Sequence, residues 1–236
     1  MKNSHLREKF LEYFESDHTL IKLIIEIEKI YSIVLFGGIV RDYLNSNFFV
    51  EPRDVDLVLC SSIATNNFEE LLYSNYPDNL VNKNQFDGYK LNSTNTIMDI
   101  WLLENTWAFK QNLMDVSLEN LLHSVCLNID AYAYHFTEMY FIDNCDKKGL
   151  PEKIDFVLQE NPNLELNIIR ALCFSKKYKI GLSEQLKEKA INIFSKETKT
   201  GEKVINLYEN IQMKHYNKIV ISYDDVAKIL FGQNDE

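Results

Sequence analysis

Two aspartates one residue apart, Asp54 and Asp56 in "DVDLVLC", are the side chains of this sequence best spaced to do chemistry. In a strand, residues i and i+2 project to the same face, so the two carboxylates stand side by side. Anions that close repel one another and are costly to bury, and a bound cation is the cheapest way to keep both ionised. Magnesium suits such a pair: it takes carboxylate oxygens and keeps the rest of its octahedron for water and substrate phosphate. The plainer alternative is a solvent-facing pair on an edge strand. A third acid on a neighbouring strand weighs against it, and "TIMDIWLL" supplies Asp99 inside an otherwise apolar run. Three aspartates on two adjacent strands can hold two metal ions about 4 Å apart, the clamp used for in-line displacement at phosphorus.

A second feature lies upstream in "SIVLFGGIVRDYLN". A short β-branched run ends in Gly37-Gly38 and gives way to helical spacing. Glycine permits a positive φ and lets backbone approach a ligand closely. The unpaired N–H groups of the helix that follows make a seat for phosphate. By itself the pair is better explained by ordinary strand-to-helix geometry. A phosphate cradle beside a carboxylate metal site, however, means phosphoryl or nucleotidyl transfer.

The elements that must position these residues follow from periodicity. Ser4 can cap an amphipathic helix running to about Tyr31, with apolar residues at threes and fours. "SIVLF" and "DVDLVLC" read as buried strands, "GIVRDYLN" and "NNFEELLYSNY" as helices, and "DNLVNKN", "FDGYKLN" and "TIMDIWLL" as three further strands. "VSLENLLHSV" is helical, and "LNIDAYAYHF" with "EMYFID" form either strands or a helix–strand pair. From about Glu152 the character changes: "KIDFVLQ", "LELNIIRALCFSKKYK", "SEQLKEKAINIFSK", "GEKVINLYENIQM" and "SYDDVAKILFG" all carry helical spacing with lysine-rich polar faces. The expected organisation is an α/β domain over residues 1–148 and a helical region over 149–236.

Composition bounds the partners. The chain has 236 residues, 46% hydrophobic, enough for a sizeable core, with only 7 Gly and 4 Pro. No apolar run reaches the ~18 residues of a membrane span, and "MKNSHLREKFLEYFESDHTL" carries no signal-peptide core, so a soluble, cytoplasmic protein without membrane association is expected. The four cysteines (Cys60, Cys126, Cys145, Cys173) form no C-x-x-C pair and read as free thiols, and the five histidines suggest no zinc site. A net charge of −10 counts against nucleic acid as partner, yet the charge is uneven. Residues 1–146 hold 10 Lys and Arg against 22 Asp and Glu, whereas residues 147–218 hold 14 against 9.

"GGIVRDYLNSNFFVEPRDVDLVL" resembles the head-domain signature of the poly(A) polymerase and CCA-adding tRNA nucleotidyltransferase family, Gly-Gly-x-Val-Arg-Asp followed by Asp-x-Asp. That family belongs to the DNA polymerase β-like nucleotidyltransferase superfamily. "LNIDAYAYHF" looks like the family's Asn-Ala-hydrophobic-Ala-Tyr segment, and "LELNIIRALCFSKKYKIGLSEQL" resembles its neck helix. The resemblance implies an α+β fold, a mixed sheet with helices followed by a small helical neck-like region. It implies that Asp54 and Asp56 are metal-binding catalytic carboxylates and that Gly37 and Gly38 form the triphosphate turn, with Arg41 and Asp42 stabilising the nucleotide site. Asp99 is the candidate third carboxylate, for catalysis and metal alike, from its strand position. The implied cofactor is Mg²⁺ or Mn²⁺ and the implied substrate a nucleoside triphosphate. An isolated Arg41-Asp42 pair would otherwise be a helix-surface ion pair of little worth.

The departures are specific. The spacer before Asp54 is about three residues longer than in the family. Ser124-Val125-Cys126 stand where the CCA-adding enzymes carry Arg-Arg-Asp, and Asn163-Leu164-Glu165-Leu166-Asn167 stand where Glu-Asp-x-x-Arg reads the base of CTP or ATP. Arg170 keeps the neck arginine before alanine, but Cys173 replaces the next one. About 50 residues follow the neck-like segment, in place of body and tail domains that hold tRNA. Trp101 shares a strand face with Asp99 and could stack on a base, or be a core aromatic; His123 and His135 read as structural.

Three functions fit these residues. The first is a metal-dependent nucleotidyltransferase moving NMP from an NTP to a hydroxyl with release of pyrophosphate. Its favoured acceptor is an RNA 3′ end, tRNA-like, met by Lys147, Lys148, Lys176, Lys177 and Lys179, which are equally well read as solvated helix faces. The second keeps the chemistry on an antibiotic or a protein. The third is a non-catalytic nucleotide-binding module of the same fold.

Overall fold

The computed structural model describes residues 3–46, 54–60, 68–76, 81–92, 96–195 and 204–232. The long spacer before Asp54 lies outside them, as do residues 78–80 of the stretch read as a strand. The chain folds as two units: residues 1–124 with 130–150, and residues 125–129 with 151–236.

The first unit begins with two helices where periodicity suggests one, α1 (His5–Tyr13) and α2 (His18–Glu28). The apolar series runs Leu6, Phe10, Phe14 and then jumps to Leu20, a gap that no continuous helix face can bridge. Asp17 restarts the helix by accepting a hydrogen bond from the Leu20 N–H at 3.0 Å. Ser4 makes no side-chain cap. Next come β1 (Ser32–Phe36), α3 (Gly38–Ser46), β2 (Asp54–Cys60), α4 (Phe68–Asn75), β3 (Val81–Lys83), β4 (Tyr89–Asn92) and β5 (Ile97–Leu102). Two short helices, α5 (Trp107–Lys110) and α6 (Leu118–His123), precede β6 (Ala133–His135) and β7 (Tyr140–Phe141), so the open reading of "LNIDAYAYHF" resolves into a short 3₁₀ turn and a strand.

Seven strands form one mixed sheet in the order β3-β4-β5-β2-β1-β6-β7. Every pairing is antiparallel except β2 with β5. Alternation divides the strands between two apolar layers. Val55, Leu57, Leu59, Ile33, Leu35, Met98 and Ile100 join α1, α2 and α4 in the larger core. Val58, Val34 and Ala133 face the other way and meet Phe109 of α5 and Leu121 and Leu122 of α6. Asp54 and Asp56 share that second face with Val58 but lie at the end of β2 nearer its start. One part-buried network fixes the helices to the sheet: Arg7 grips Glu28 through two hydrogen bonds of 2.6 and 2.8 Å and donates to the Phe136 carbonyl at 3.1 Å.

In the second unit β8 (Lys153–Ile154) pairs in parallel with β9 (Gly181–Leu182). "KIDFVLQ" is therefore extended, not helical: the run is too short to repay helix nucleation, and Asp155 and Asn128 bond backbone N–H groups instead. The helices are α7 (Leu164–Tyr178), α8 (Glu184–Ser195), α9 (Val204–Tyr216) and α10 (Tyr223–Phe231). They pack around Ile168, Ile169, Leu172, Leu186, Ala190 and Val226. Gln212, fully buried, stitches α9 to the α10 approach by accepting from the Val220 and Ile221 N–H groups. No described helix is long and apolar enough to cross a membrane.

Candidate functional site

The site grows out of the β1–α3 turn. Gly37 has φ +67, in the left-handed region where a side chain is strained. Its N–H donates to the Tyr132 carbonyl at 2.8 Å, and its own carbonyl accepts from the Arg41 N–H at 3.1 Å, which starts α3. The N–H groups of the first turn of α3 therefore open next to this glycine. A Cβ on Gly37 would sit 3.6 Å from Asp56 Oδ2, so the turn and the carboxylate face each other at contact distance.

Strand register sets the acids. Asp56 lies opposite Phe36, the last residue of β1 before the turn, and beside Asp99 of β5. Asp54, Asp56 and Asp99 are all partly exposed. The parallel pairing of β2 with β5 therefore lines up the three aspartates on one face. Two adjacent carboxylates fit a magnesium ion, which commonly takes one or two protein carboxylates and fills its remaining positions with water and substrate phosphate. Among the described residues no group of three or more His, Cys, Asp or Glu is arranged as a metal cage, and Asp99 Oδ2 stands 3.5 Å from Lys90 Nζ on β4.

Arg41 is not a surface partner of Asp42. It is only 5% exposed, donating from Nε to Asp42 at 3.1 Å and from Nη1 to Asp130 at 2.7 Å. A Cβ on Gly38 would stand 3.3 Å from its Nη2, which is tighter than an ordinary contact. The second glycine thus lets the guanidinium tuck beneath the turn. Two charge-assisted bonds hold that cation in place, so Arg41 serves as internal scaffold of the turn. Asp130 is the site residue that sequence reasoning misses. It stands inside "LNIDAYAYHF", and the available signal is that an arginine directly after an apolar helix start needs an anion from elsewhere.

Neighbouring side chains have structural roles. Trp101 donates its ring N–H to Thr106 Oγ1 at 3.1 Å and meets Phe36 edge-to-face at 6.2 Å, so it packs as a core aromatic. His135 stacks on Tyr140, its Nδ1 accepts from the Glu138 N–H, and burial pushes its pKa down. All four cysteines are free. Burial, with Glu104 adding repulsion, pushes the Cys60 thiol up to about 11.

The departures from the family pattern have structural partners of their own. In Ser124-Val125-Cys126 all three residues are buried, and Cys126 joins the helical core. Asn167 of α7 is buried and donates to the Pro162 carbonyl at 3.1 Å, while Arg170 bonds Asn167 at 3.3 Å and lies over the Phe174 ring. Lys176 pairs with Asp225 at 2.6 Å and Lys148 with Asp143 at 2.5 Å.

No protein-family model matches the sequence, and no curated protein sequence does. Solved structures do match it over most or all of its length. A CCA-adding enzyme in complex with CTP gives a TM-score of 0.59 at 17% identity, covering 99% of this chain and 57% of that one. A complex of a CCA-adding enzyme with ATP gives 0.57 at 18%, covering 92% and 51%. The Thermotoga maritima CCA-adding enzyme complexed with tRNA gives 0.54 at 17%, covering 100% and 57%. The chain thus shares the fold of these CCA-adding enzymes and spans little more than half the length of these neighbours.

Proposed function

We propose that this chain is a metal-dependent nucleotidyltransferase that moves NMP from an NTP to a hydroxyl acceptor, with an RNA 3′ end the favoured acceptor. The observation that carries the reading is the facing of the Gly37 turn and Asp56 at contact distance. It pairs the helix start that suits a triphosphate with the carboxylates that suit its metal. Asp54 and Asp56 hold Mg²⁺ or Mn²⁺, and Asp99 is the third carboxylate. Bound there, the ion would neutralise phosphate charge and polarise the phosphorus under attack. Gly37 and Gly38 bring backbone amides to the triphosphate, while Arg41, Asp42 and Asp130 keep the turn in shape.

The base-selecting part differs from that of an ordinary CCA-adding enzyme. Val125 and Cys126 are apolar or weakly polar and buried, and Asn167 spends a donor on Pro162. These residues cannot offer the paired arginine donors expected at such positions. They support a transferase whose nucleotide choice is not that of C and A addition. The same losses favour, as second reading, a nucleotide-binding module that keeps the fold without turnover.

The test is incubation of wild type and an Asp54→Asn/Asp56→Asn variant with Mg²⁺, each α-labelled NTP in turn, and cellular RNA with lysate protein. Aspartate-dependent label in nuclease-sensitive material supports the RNA reading. Label in protease-sensitive material moves the acceptor to protein. No label and no pyrophosphate with any NTP, despite nucleotide binding by calorimetry, replaces the transferase with the binding module.

A further inference from the structure

The β3–β4 hairpin and α5 carry several lysines with quite different partners. Lys83 lies 3.6 Å from Glu69 and 3.9 Å from Asp87, and Lys110 also bonds Asp87. Those acids are half exposed. Lys90 differs. Its register partner across the antiparallel β4–β5 pair is Asp99 itself, and its Nζ stands 3.5 Å from Asp99 Oδ2, with the two side chains 48% and 25% exposed. Cross-strand neighbours of opposite charge attract. This pair, however, puts a cation on the carboxylate that register aligns with Asp56.

We propose that Lys90 is a resident counter-ion of the third carboxylate, and that a divalent cation must displace it to use Asp99. The inference rests on the reading of Asp54, Asp56 and Asp99 as a metal site. Three carboxylates in a row repel one another, and the ammonium of Lys90 relieves part of that cost. The same ammonium repels an incoming dication. An ion that uses Asp99 therefore competes with a tethered charge. The half-exposed stem of Lys90 lets the ammonium leave Asp99 once a metal arrives and meet the anionic substrate that comes with it. Lys90 is thus a positioning residue that sets how readily the metal site fills.

Mn²⁺ alone, titrated into nucleotide-free protein and followed by electron paramagnetic resonance of the free ion, reads this directly. Lys90→Met should tighten Mn²⁺ binding roughly three- to tenfold, the scale of a partly exposed charge pair acting on a dication. Lys90→Arg, which keeps the charge, should restore wild-type affinity. In an Asp99→Asn background Lys90→Met should gain clearly less, because the carboxylate that the ammonium occupies is gone. Unchanged affinity in Lys90→Met overturns the inference, as does an equal gain with Asp99→Asn already present or the absence of Mn²⁺ binding throughout. Tighter Mn²⁺ binding without pyrophosphate release from any NTP would leave the ion exchange standing and remove the transferase reading. Release with indifferent Mn²⁺ binding would do the reverse.

Discussion

The carboxylate end of β2 and the first turns of α7 have fared differently in this chain. At β2, what resembles the nucleotidyltransferase signature is also what the sheet register enforces. Asp56 is pinned between Phe36 and Asp99, and Gly37 is held in a left-handed turn beside it. At α7 the helix is present and packed by Ile168, Ile169 and Leu172, yet its polar positions are Asn167 bonded to Pro162 and Arg170 bonded to Asn167. A helix keeps its packing whatever its outward side chains are, so residues that read a base can be lost without loss of fold. The left-handed Gly37 turn is tied to backbone geometry and cannot drift in this way, and the register sets Asp56 beside it. Under the proposed function, this difference places reaction chemistry at the turn and β2 and leaves nucleotide choice open to differ from that of C and A addition.

The strongest way to break that contrast is at the carboxylates. Asp54→Asn/Asp56→Asn should lower pyrophosphate release by about 10²- to 10³-fold, the scale of removing a main electrostatic stabiliser of the reaction, with little change in thermal unfolding. Loss of folding together with activity would mean that the pair is structural, and the contrast would collapse. Arg41 gives the next largest effect, on stability. Arg41→Met leaves Asp42 and Asp130 without their shared cation in a site only 13% exposed on the carboxylate side. Breaking a buried pair of this kind costs about 3–5 kcal/mol, readable as a lower midpoint in urea. An unchanged midpoint would show that the guanidinium is not the support of the turn.

The sheet is legible in the sequence because short β-branched runs ended by glycine or polar residues have few alternatives. "SIVLF", "DVDLVLC" and "TIMDIWLL" form β1, β2 and β5. A single long N-terminal helix is the wrong reading because the apolar spacing slips across Phe14–Asp17, where Asp17 caps a new start. A helix at "KIDFVLQ" is wrong because seven residues do not separate a helix face from an extended segment. In the site, same-strand spacing makes Asp54 and Asp56 visible. Asp130 is invisible because its partner Arg41 is 89 positions away, and Lys90 because its meaning depends on the β4–β5 register.

Gly37 sharpens the contrast at moderate cost. With a Cβ, ordinary contact with Asp56 Oδ2 would still be possible at 3.6 Å, so strain and not collision is what Gly37→Ala introduces. An L side chain in the left-handed region costs roughly 1–2 kcal/mol, to be read from the urea midpoint. Because the amides of α3 turn with that residue, the KM for NTP should rise more than kcat falls. A stability loss without any kinetic change would place the phosphate elsewhere.

The smallest effect belongs to the helical unit and tests whether its lysines serve RNA or fold. Lys176 reaches from the end of α7 to Asp225, which also completes a capping box with Ser222 at the start of α10. The Lys176 bond, then that of Ser222, holds the Asp225 carboxyl down at about 2. An acid whose pKa is depressed on folding stabilises above the ordinary carboxylate range and loses that contribution as pH falls toward its folded value. The side chains are 51% and 29% exposed, so solvent screens most of the gain. Lys176→Met should cost at most about 1 kcal/mol at neutral pH, and its stability curve should converge with wild type as pH falls toward 2. Lys177→Glu/Lys179→Glu should leave that curve alone and weaken any RNA complex in a salt-dependent way. If Lys176→Met instead weakens RNA binding as much as the double reversal does, the pair with Asp225 opens on contact with phosphate. In that case the helical unit presents a basic RNA-binding face even though α7 carries Asn167 and Arg170 in bonds of its own.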